Sequence, residues 1–209
     1  MKSKSPFFII EDFISPLMCE EIIEDLDNQI PDVDEDNKPI MSVRFNRLSE
    51  MRLSTAIEEF LIQEIEEYYG FTYKGMYPFE FEWYPQGCKN NRQRCENSIS
   101  FGSGGKTSWH RSSGRDFCGI IFLNDYNDKP PLDQDFEVNG GKLQFLNHKF
   151  SMTPKRGTLV IFPGEQHFIN CTSDVKIGDL HQIRFYINAS EPYKYNPKAF
   201  PGNYTTWFS

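Results

Sequence analysis

The sequence has no long apolar run, and this absence excludes several classes of protein. No segment approaches the roughly 20 consecutive apolar residues that a membrane-spanning helix needs. Residues 1–6 lead directly into a short predicted strand and contain no apolar stretch of the kind found in signal peptides. We therefore expect a cytoplasmic chain with no membrane partner.

An excess of basic residues is also lacking, and cysteines are few. The chain has 22 Lys and Arg against 30 Asp and Glu, which gives a net charge of −8. This balance argues against a sequence-independent nucleic-acid binder, because such a protein needs a basic face. The five cysteines are an odd number, irregularly spaced and without a CxxC pair. They are typical of free structural thiols rather than of a disulfide framework.

Aromatic residues are abundant, with 19 Phe and 10 Tyr among 209 residues. This composition indicates an aromatic-rich core with a preference for β-structure, and the length is that of one domain. Two helices are predicted near the N-terminus. The first begins at Ser15 and Pro16, a capping residue followed by a first-turn proline, and continues to about residue 28. The second spans 54–69 and ends at Gly70.

After residue 73 the sequence changes to short β-type runs separated by turn residues. Several short strands at this spacing predict a sandwich or barrel. An acidic, proline-bearing segment at 126–139 is predicted to be a mobile loop between two strands. Residues 1–190 would form the domain, and 191–209 an aromatic tail without periodicity. The predicted strands are 79–84, 98–101, 117–123, 142–146, 158–162 and 181–187.

Two histidines are placed at the ends of separate predicted strands. His110 lies just before the strand at 117–123, and His167 follows the strand at 158–162, 57 residues further along the chain. A facial non-haem iron site needs two such histidines and a carboxylate, with open positions for co-substrate and oxygen. The carboxylate usually lies two residues after the first histidine, and Ser112 occupies that position here.

Four segments carry a resemblance to a known family. They are the opening strand and helix at 8–23, the glycine-bearing approach to the first histidine at 101–110, the Gly-Gly-x-Leu strand within 139–145, and the Pro-x-x-Gly turn and strand at 154–162. In order and spacing they resemble the 2-oxoglutarate- and Fe(II)-dependent dioxygenases, specifically the small prolyl 4-hydroxylase-like branch found in bacteria and viruses. The resemblance covers roughly residues 7–188.

The resemblance implies a mainly β fold, a double-stranded β-helix (jelly roll) with two N-terminal helices packed on it. It also implies Fe(II) bound by His110 and His167, and 2-oxoglutarate as co-substrate. The far carboxylate of 2-oxoglutarate needs a buried cation on the strand after the second histidine, because an unpaired carboxylate buried there would be costly.

The iron site departs from the family at Ser112, whose neutral hydroxyl is a poor substitute for a carboxylate on Fe(II). Three alternatives remain. Asp116, four residues further on, could reach the metal if the intervening loop folds back. The iron could be held by two histidines with water or an anion in the third position. The metal site could also be lost. Asp116 directly precedes a strand, as a turn residue does, so the last two alternatives are favoured.

The co-substrate pocket departs from the family as well. Phe101 and Phe122 stand where family members often have tyrosines that bond 2-oxoglutarate, so the rings remain but the hydroxyls are absent. Arg184 is the best candidate for the buried cation, by motif and by its fit to carboxylates. His181 is a second candidate, but its odd offset from Arg184 predicts that the two face opposite sides of the strand. Lys176 is a third, and Arg184 could instead pair with a nearby acid.

Three functional hypotheses follow. The first is a dioxygenase that hydroxylates a prolyl or other side chain of a protein or peptide. The second is a degenerate dioxygenase fold used as a binding or structural module, for example in viral assembly, which would place the chain in a virion. The aromatic tail at 191–209 motivates it, because such a segment must pack on the core or on a partner chain. The third is a metal-binding jelly roll of cupin type.

Overall fold

The computed structural model describes residues 4–27, 42–44, 47–84, 115–129 and 136–200. Mainly antiparallel strands form the fold, with helices on one side, which confirms the predicted fold class. None of the helices within these ranges is long and apolar enough to cross a membrane. In chain order the elements are β1 (Phe8–Ile10), α1 (Pro16–Asp27), β2 (Ser42–Arg44), α2 (Arg47–Phe60), α3 (Ile62–Tyr69), β3 (Tyr73–Met76), β4 (Glu80–Tyr84), β5 (Phe117–Phe122), β6 (Asp125–Tyr126), β7 (Glu137–Gly140), β8 (Leu143–Phe145), β9 (Phe150–Met152), β10 (Leu159–Pro163), β11 (Asn170–Thr172), β12 (Val175–Ile177) and β13 (Leu180–Ala189).

Three sheets build the jelly roll. The largest has seven strands in the order β1-β10-β5-β13-β4-β2, with β3 also paired to β13. A three-stranded sheet, β11-β8-β9, lies against it, and β12-β7-β6 forms a second small sheet. Strand β13 pairs with β5 on one side and with β3 and β4 on the other. This central strand therefore presents its alternate residues to both faces of the large sheet.

The two faces of the large sheet bury different apolar clusters. Toward the helices, side chains of β5, β10 and β13 form one cluster with those of α1, α2 and α3, which includes Ile121, Phe185 and Ile57. Toward the small sheet β11-β8-β9, Ile120 and Phe162 pack within an aromatic interior cluster. We call this second side the jelly-roll interior. Its residues come from alternate positions of the same strands, as a two-sided sheet requires.

The second predicted helix is longer than expected and is divided. Helix α2 starts before residue 54, and a bend at Leu61, with φ of −116°, separates it from α3. Ile57 of α2 and Ile65 of α3 are both fully buried in the core. Helix α3 ends at Gly70, whose φ of 73° is left-handed, which confirms the predicted stop.

The predicted mobile loop at 126–139 is partly wrong. Strands β6 and β7 lie at its two ends and pair in parallel, and the amide of Asn127 donates to the carbonyl of Val138 at 2.9 Å. Val138 is buried in a small cluster with Val175 and Leu180, which fixes the end of the segment. Residues 130–135 lie outside the described ranges.

Two other predictions concern cysteines and the tail. Cys19, Cys118 and Cys171 are buried free thiols, while positions 88 and 95 are not among the described residues.

The described part of the tail, up to residue 200, packs on the chain's own core. Phe200 is buried in the helix-side cluster, and Tyr193 packs against that cluster.

Candidate functional site

An ionic network lies on the interior face of the large sheet, where β13 runs beside β4. Arg184 stands directly opposite Glu80, and Gln182 directly opposite Glu82. Because side chains alternate along a strand, these four residues project to the same face. Arg184 is only 1% exposed, so its charge has to be balanced inside the fold.

The Glu82 carboxylate balances that charge and is held through both oxygens. The Nε of Arg184 donates to Glu82 Oε1 at 2.8 Å, and the Nε2 of Gln182 donates to Oε2. The Nη1 of Arg184 also lies 3.2 Å from the Sγ of Cys118. The sequence left open whether Arg184 anchors a co-substrate or pairs with an acid. In the structure it pairs with an acid.

A second carboxyl and a second guanidinium extend the network. Burial raises the pKa of Glu80, and the nearby negative charge of Glu82 raises it further, against the opposing effects of Arg184 and Arg115. The guanidinium carbon of Arg115 lies 3.3 Å from the ring centre of Tyr77, a cation–π contact. The interior wall therefore combines two carboxyl groups with two guanidinium groups.

Asp116 ties the start of β5 to the C-terminal segment. Its Oδ2 accepts a hydrogen bond from the amide of Ala189 at 2.8 Å, and its Oδ1 accepts one from the amide of Tyr193 at 2.8 Å. Both carboxylate oxygens are thus engaged by backbone donors. This is the geometry of a structural anchor, in keeping with the turn position that the sequence indicates.

His167 lies on a 3-10 turn, Gln166–Phe168, beyond the end of β10, and its side chain is 61% exposed. Its Nδ1 is 3.8 Å from Glu165 Oε2, and the ring of Tyr195 lies 5.8 Å away between centres. His148 lies close by. Burial lowers the pKa of His148 to about 4, with a smaller contribution from the charge of His167.

The other co-substrate candidates lie in different places. His181 faces away from Arg184, as its offset predicts, and stacks on Phe81 of the helix-side cluster at 5.7 Å. Phe122 lies in the interior cluster directly opposite Gln182 and has no hydroxyl to offer. Lys176 is exposed and borders a separate polar groove of about 420 Å³.

His110, Ser112 and Phe101 lie outside the described residues. Within the described ranges, no three His, Cys, Asp or Glu side chains come together in a way that could hold a metal ion. The fit to 2-oxoglutarate can be tested at Arg184, and there the fit is poor. The Nε of Arg184 is already engaged by the Glu82 carboxylate.

Glu82 and Gln182 belong to the polar network around Arg184, and sequence reasoning did not identify them. The sequence does indicate that two acids lie together, because Glu80 and Glu82 alternate with aromatic residues along a predicted strand and so share one face. What the sequence did not show was that this strand lies beside β13, since Glu82 and Arg184 are 102 residues apart.

No protein-family model and no curated protein sequence matches this chain. Solved structures do match it. A viral collagen prolyl hydroxylase from Paramecium bursaria Chlorella virus-1, in a 2OG complex, aligns with a TM-score of 0.56 and 15% identity. That alignment covers 88% of this chain and 97% of the viral one.

Two further prolyl hydroxylases are similar. One, from Trichoplax adhaerens, in complex with a hypoxia inducible factor oxygen degradation domain peptide fragment, has a TM-score of 0.61 and 13% identity over 88% of this chain and 84% of its own. A Pseudomonas putida prolyl-4-hydroxylase has a TM-score of 0.58 and 13% identity over 90% and 94%. The chain therefore has the fold of the prolyl 4-hydroxylase-type 2-oxoglutarate- and Fe(II)-dependent dioxygenases.

Proposed function

We propose that this chain is a catalytically degenerate form of the prolyl hydroxylase fold and serves as a binding or structural module. The observation that carries the proposal is the Glu82 carboxylate held between Arg184 and Gln182. In an active relative the cation on this strand would receive the far carboxylate of 2-oxoglutarate. Here the chain supplies that carboxylate itself.

The energetics favour retention of Glu82 over its replacement by the co-substrate. An incoming 2-oxo acid would displace Glu82 from Arg184 and leave a carboxylate, mostly buried, without its cation. Breaking one side of a buried ion pair typically costs about 3–5 kcal/mol. The displaced group would also remain near Glu80, a second acid. Binding of 2-oxoglutarate would have to overcome both effects.

The partner is proposed to be a protein or peptide. The fold supports this, because the similar Trichoplax enzyme was solved with a peptide fragment. The net charge of −8 favours a basic or neutral partner over nucleic acid. A viral assembly role belongs to this proposal, with the cytoplasm or a virion as the place of action.

A titration of the wild-type protein with Fe(II) under anaerobic conditions, with and without 2-oxoglutarate, tests the proposal. The readouts are the visible charge-transfer absorption and, after oxygen is admitted, succinate formation. An active prolyl hydroxylase of the same fold is the positive control. We expect neither signal from the wild-type protein, and 2-oxoglutarate turnover would contradict the proposal.

A second candidate function is an Fe(II)- and 2-oxoglutarate-dependent dioxygenase that hydroxylates a prolyl or other protein side chain. One observation favours it: a buried guanidinium, Arg184, lies inside the jelly roll on the strand expected to carry the co-substrate anchor. On this reading 2-oxoglutarate displaces Glu82. Metal uptake that is abolished by His110→Ala and by His167→Ala, but kept in Ser112→Ala, would support it as a two-histidine site.

A further inference from the structure

We infer that Arg184 and Gln182 form a receptor for one small monocarboxylate inside the jelly roll, and that Glu82 is its built-in ligand. This inference rests on the proposed function, because it takes the pocket to be filled by the chain itself. It adds the chemical class of ligand that the pocket recognises once the Glu82 side chain is removed.

The donors of this receptor are arranged to grip both oxygens of one carboxylate. Arg184 and Gln182 are two residues apart on β13, so their side chains lie side by side on one face. The guanidinium Nε bonds one oxygen at 2.8 Å, and the amide nitrogen bonds the other. Each donor residue is 1% exposed. The two donors therefore form a buried carboxylate-binding site rather than part of a surface ion pair.

The surrounding wall limits the size and charge of the ligand. On β5, Ile120 lies opposite Arg184 and Phe122 lies opposite Gln182, so one side of the site is apolar. On β4, Glu80 lies opposite Arg184 and adds a second acid close by. The negative charge of Glu80 would repel the second carboxylate of a dianion. The site therefore fits a single carboxylate on a short aliphatic stem, such as acetate or propionate, better than it fits a dicarboxylate.

In the wild-type protein Glu82 excludes such ligands because it is attached to the same sheet. A tethered group has an effective concentration of millimolar or more, so dilute external carboxylates compete poorly. Glu82→Ala deletes a CH2–COO⁻ group, which is an acetate in size and charge. The variant should retain both donors and gain a vacancy that acetate fits.

The test is thermal unfolding of Glu82→Ala in sodium acetate and in sodium chloride at equal ionic strength and pH 7. We expect acetate and propionate to raise the melting temperature by about 3–5 °C at ten times their dissociation constant. Benzoate, which is too bulky for the vacancy, should have less effect. The wild-type protein, Glu82→Gln and the matched control Glu80→Ala should melt alike in both salts.

If Glu82→Ala does not fold in chloride, its refolding yield in acetate relative to chloride becomes the readout. The double variant Glu82→Ala with Arg184→Met should lose the acetate response. The inference is overturned if acetate acts equally on Glu82→Ala, Glu80→Ala and wild type, or if the response survives in the double variant. Turnover of 2-oxoglutarate by the wild-type protein is a separate result that contradicts the proposed function. Failure of the acetate response alone overturns only the receptor.

Discussion

Arg184 on β13 donates its Nε–H to the carboxylate of Glu82 on β4, at 2.8 Å, from a position diagonal to it across the sheet. The pair links two strands that are far apart in the sequence, and it lies in the polar part of the jelly-roll interior. It is also the acid pairing that the sequence allowed as one of two roles for Arg184.

Removing one member of the pair should destabilise the protein far more than removing both. Arg184→Met leaves the Glu82 carboxylate without its cation and should lower the free energy of unfolding by about 3–5 kcal/mol. The double variant Arg184→Met with Glu82→Met restores apolar packing and should come within about 2 kcal/mol of wild type. Urea unfolding monitored by circular dichroism measures both. Additive losses in the double variant would show that the two side chains are not coupled.

Asp116→Ala should loosen the C-terminal segment without unfolding the jelly roll. The substitution leaves the amides of Ala189 and Tyr193 without their acceptors, at an expected cost of about 1–3 kcal/mol. Hydrogen exchange should become faster at these two amides. Asp116→Asn keeps one acceptor oxygen and should show a smaller change. Unchanged protection in Asp116→Ala would contradict the anchoring role.

Gly119→Ala should destabilise the sheet by overpacking. A Cβ at Gly119 would lie 2.2 Å from the ring of Phe185, its direct partner on β13. The ring is buried and cannot move aside freely, so we expect a loss of about 1–3 kcal/mol, measured by thermal unfolding. Adding Phe185→Leu should recover part of the loss. An Ala variant as stable as wild type would show that the two strands can separate at this point.

Acid should destabilise the protein partly through His181. Burial lowers its pKa to about 4, below the 6.5 of an ordinary histidine. The unfolded chain therefore takes up a proton at a higher pH than the folded protein does. The stability contributed by neutral His181 is present above about pH 6.5 and is lost as pH falls toward 4.

His181→Phe should remove this contribution, which is on the order of 3 kcal/mol over that pH range. Unfolding free energies measured at pH 7, 5.5 and 4.5 report it as a shallower loss of stability in the variant. Leu17→Ala, which shortens an exposed and non-titratable side chain, is the control and should keep the wild-type slope. Equal slopes for His181→Phe and wild type would contradict the prediction.

The sequence predicted the central strands because their apolar patterns are continuous. Strands β5, β10 and β13 are buried along most of their length, and the predicted runs match them closely. Strands of two to four residues at the margins, such as β3, β6 and β12, were missed. So few residues cannot show the alternation of apolar and polar side chains by which a strand is predicted. Gly70 was predicted correctly because a left-handed helix end favours glycine.

The site was predictable only in part, because its decisive contact is non-local. The sequence indicated Arg184 as the best candidate for a buried cation from its own strand, and the structure buries it. Its partner depends on which strand lies beside β13, and the order of strands in a sheet cannot be predicted from local sequence patterns. The exposed position of His167 and its proximity to His148 likewise depend on how two distant turns meet.

Retention of Glu82 on Arg184 can be followed at the side-chain Nε–H signal of Arg184 in a ¹⁵N–¹H spectrum, assigned by its loss in Arg184→Lys. The spectrum is recorded for wild type with and without millimolar 2-oxoglutarate in the presence of a divalent metal. If Glu82 keeps its place on Arg184, the signal is unchanged by 2-oxoglutarate and shifts in Glu82→Gln. A signal that moves on addition of 2-oxoglutarate and saturates would show instead that the co-substrate displaces Glu82.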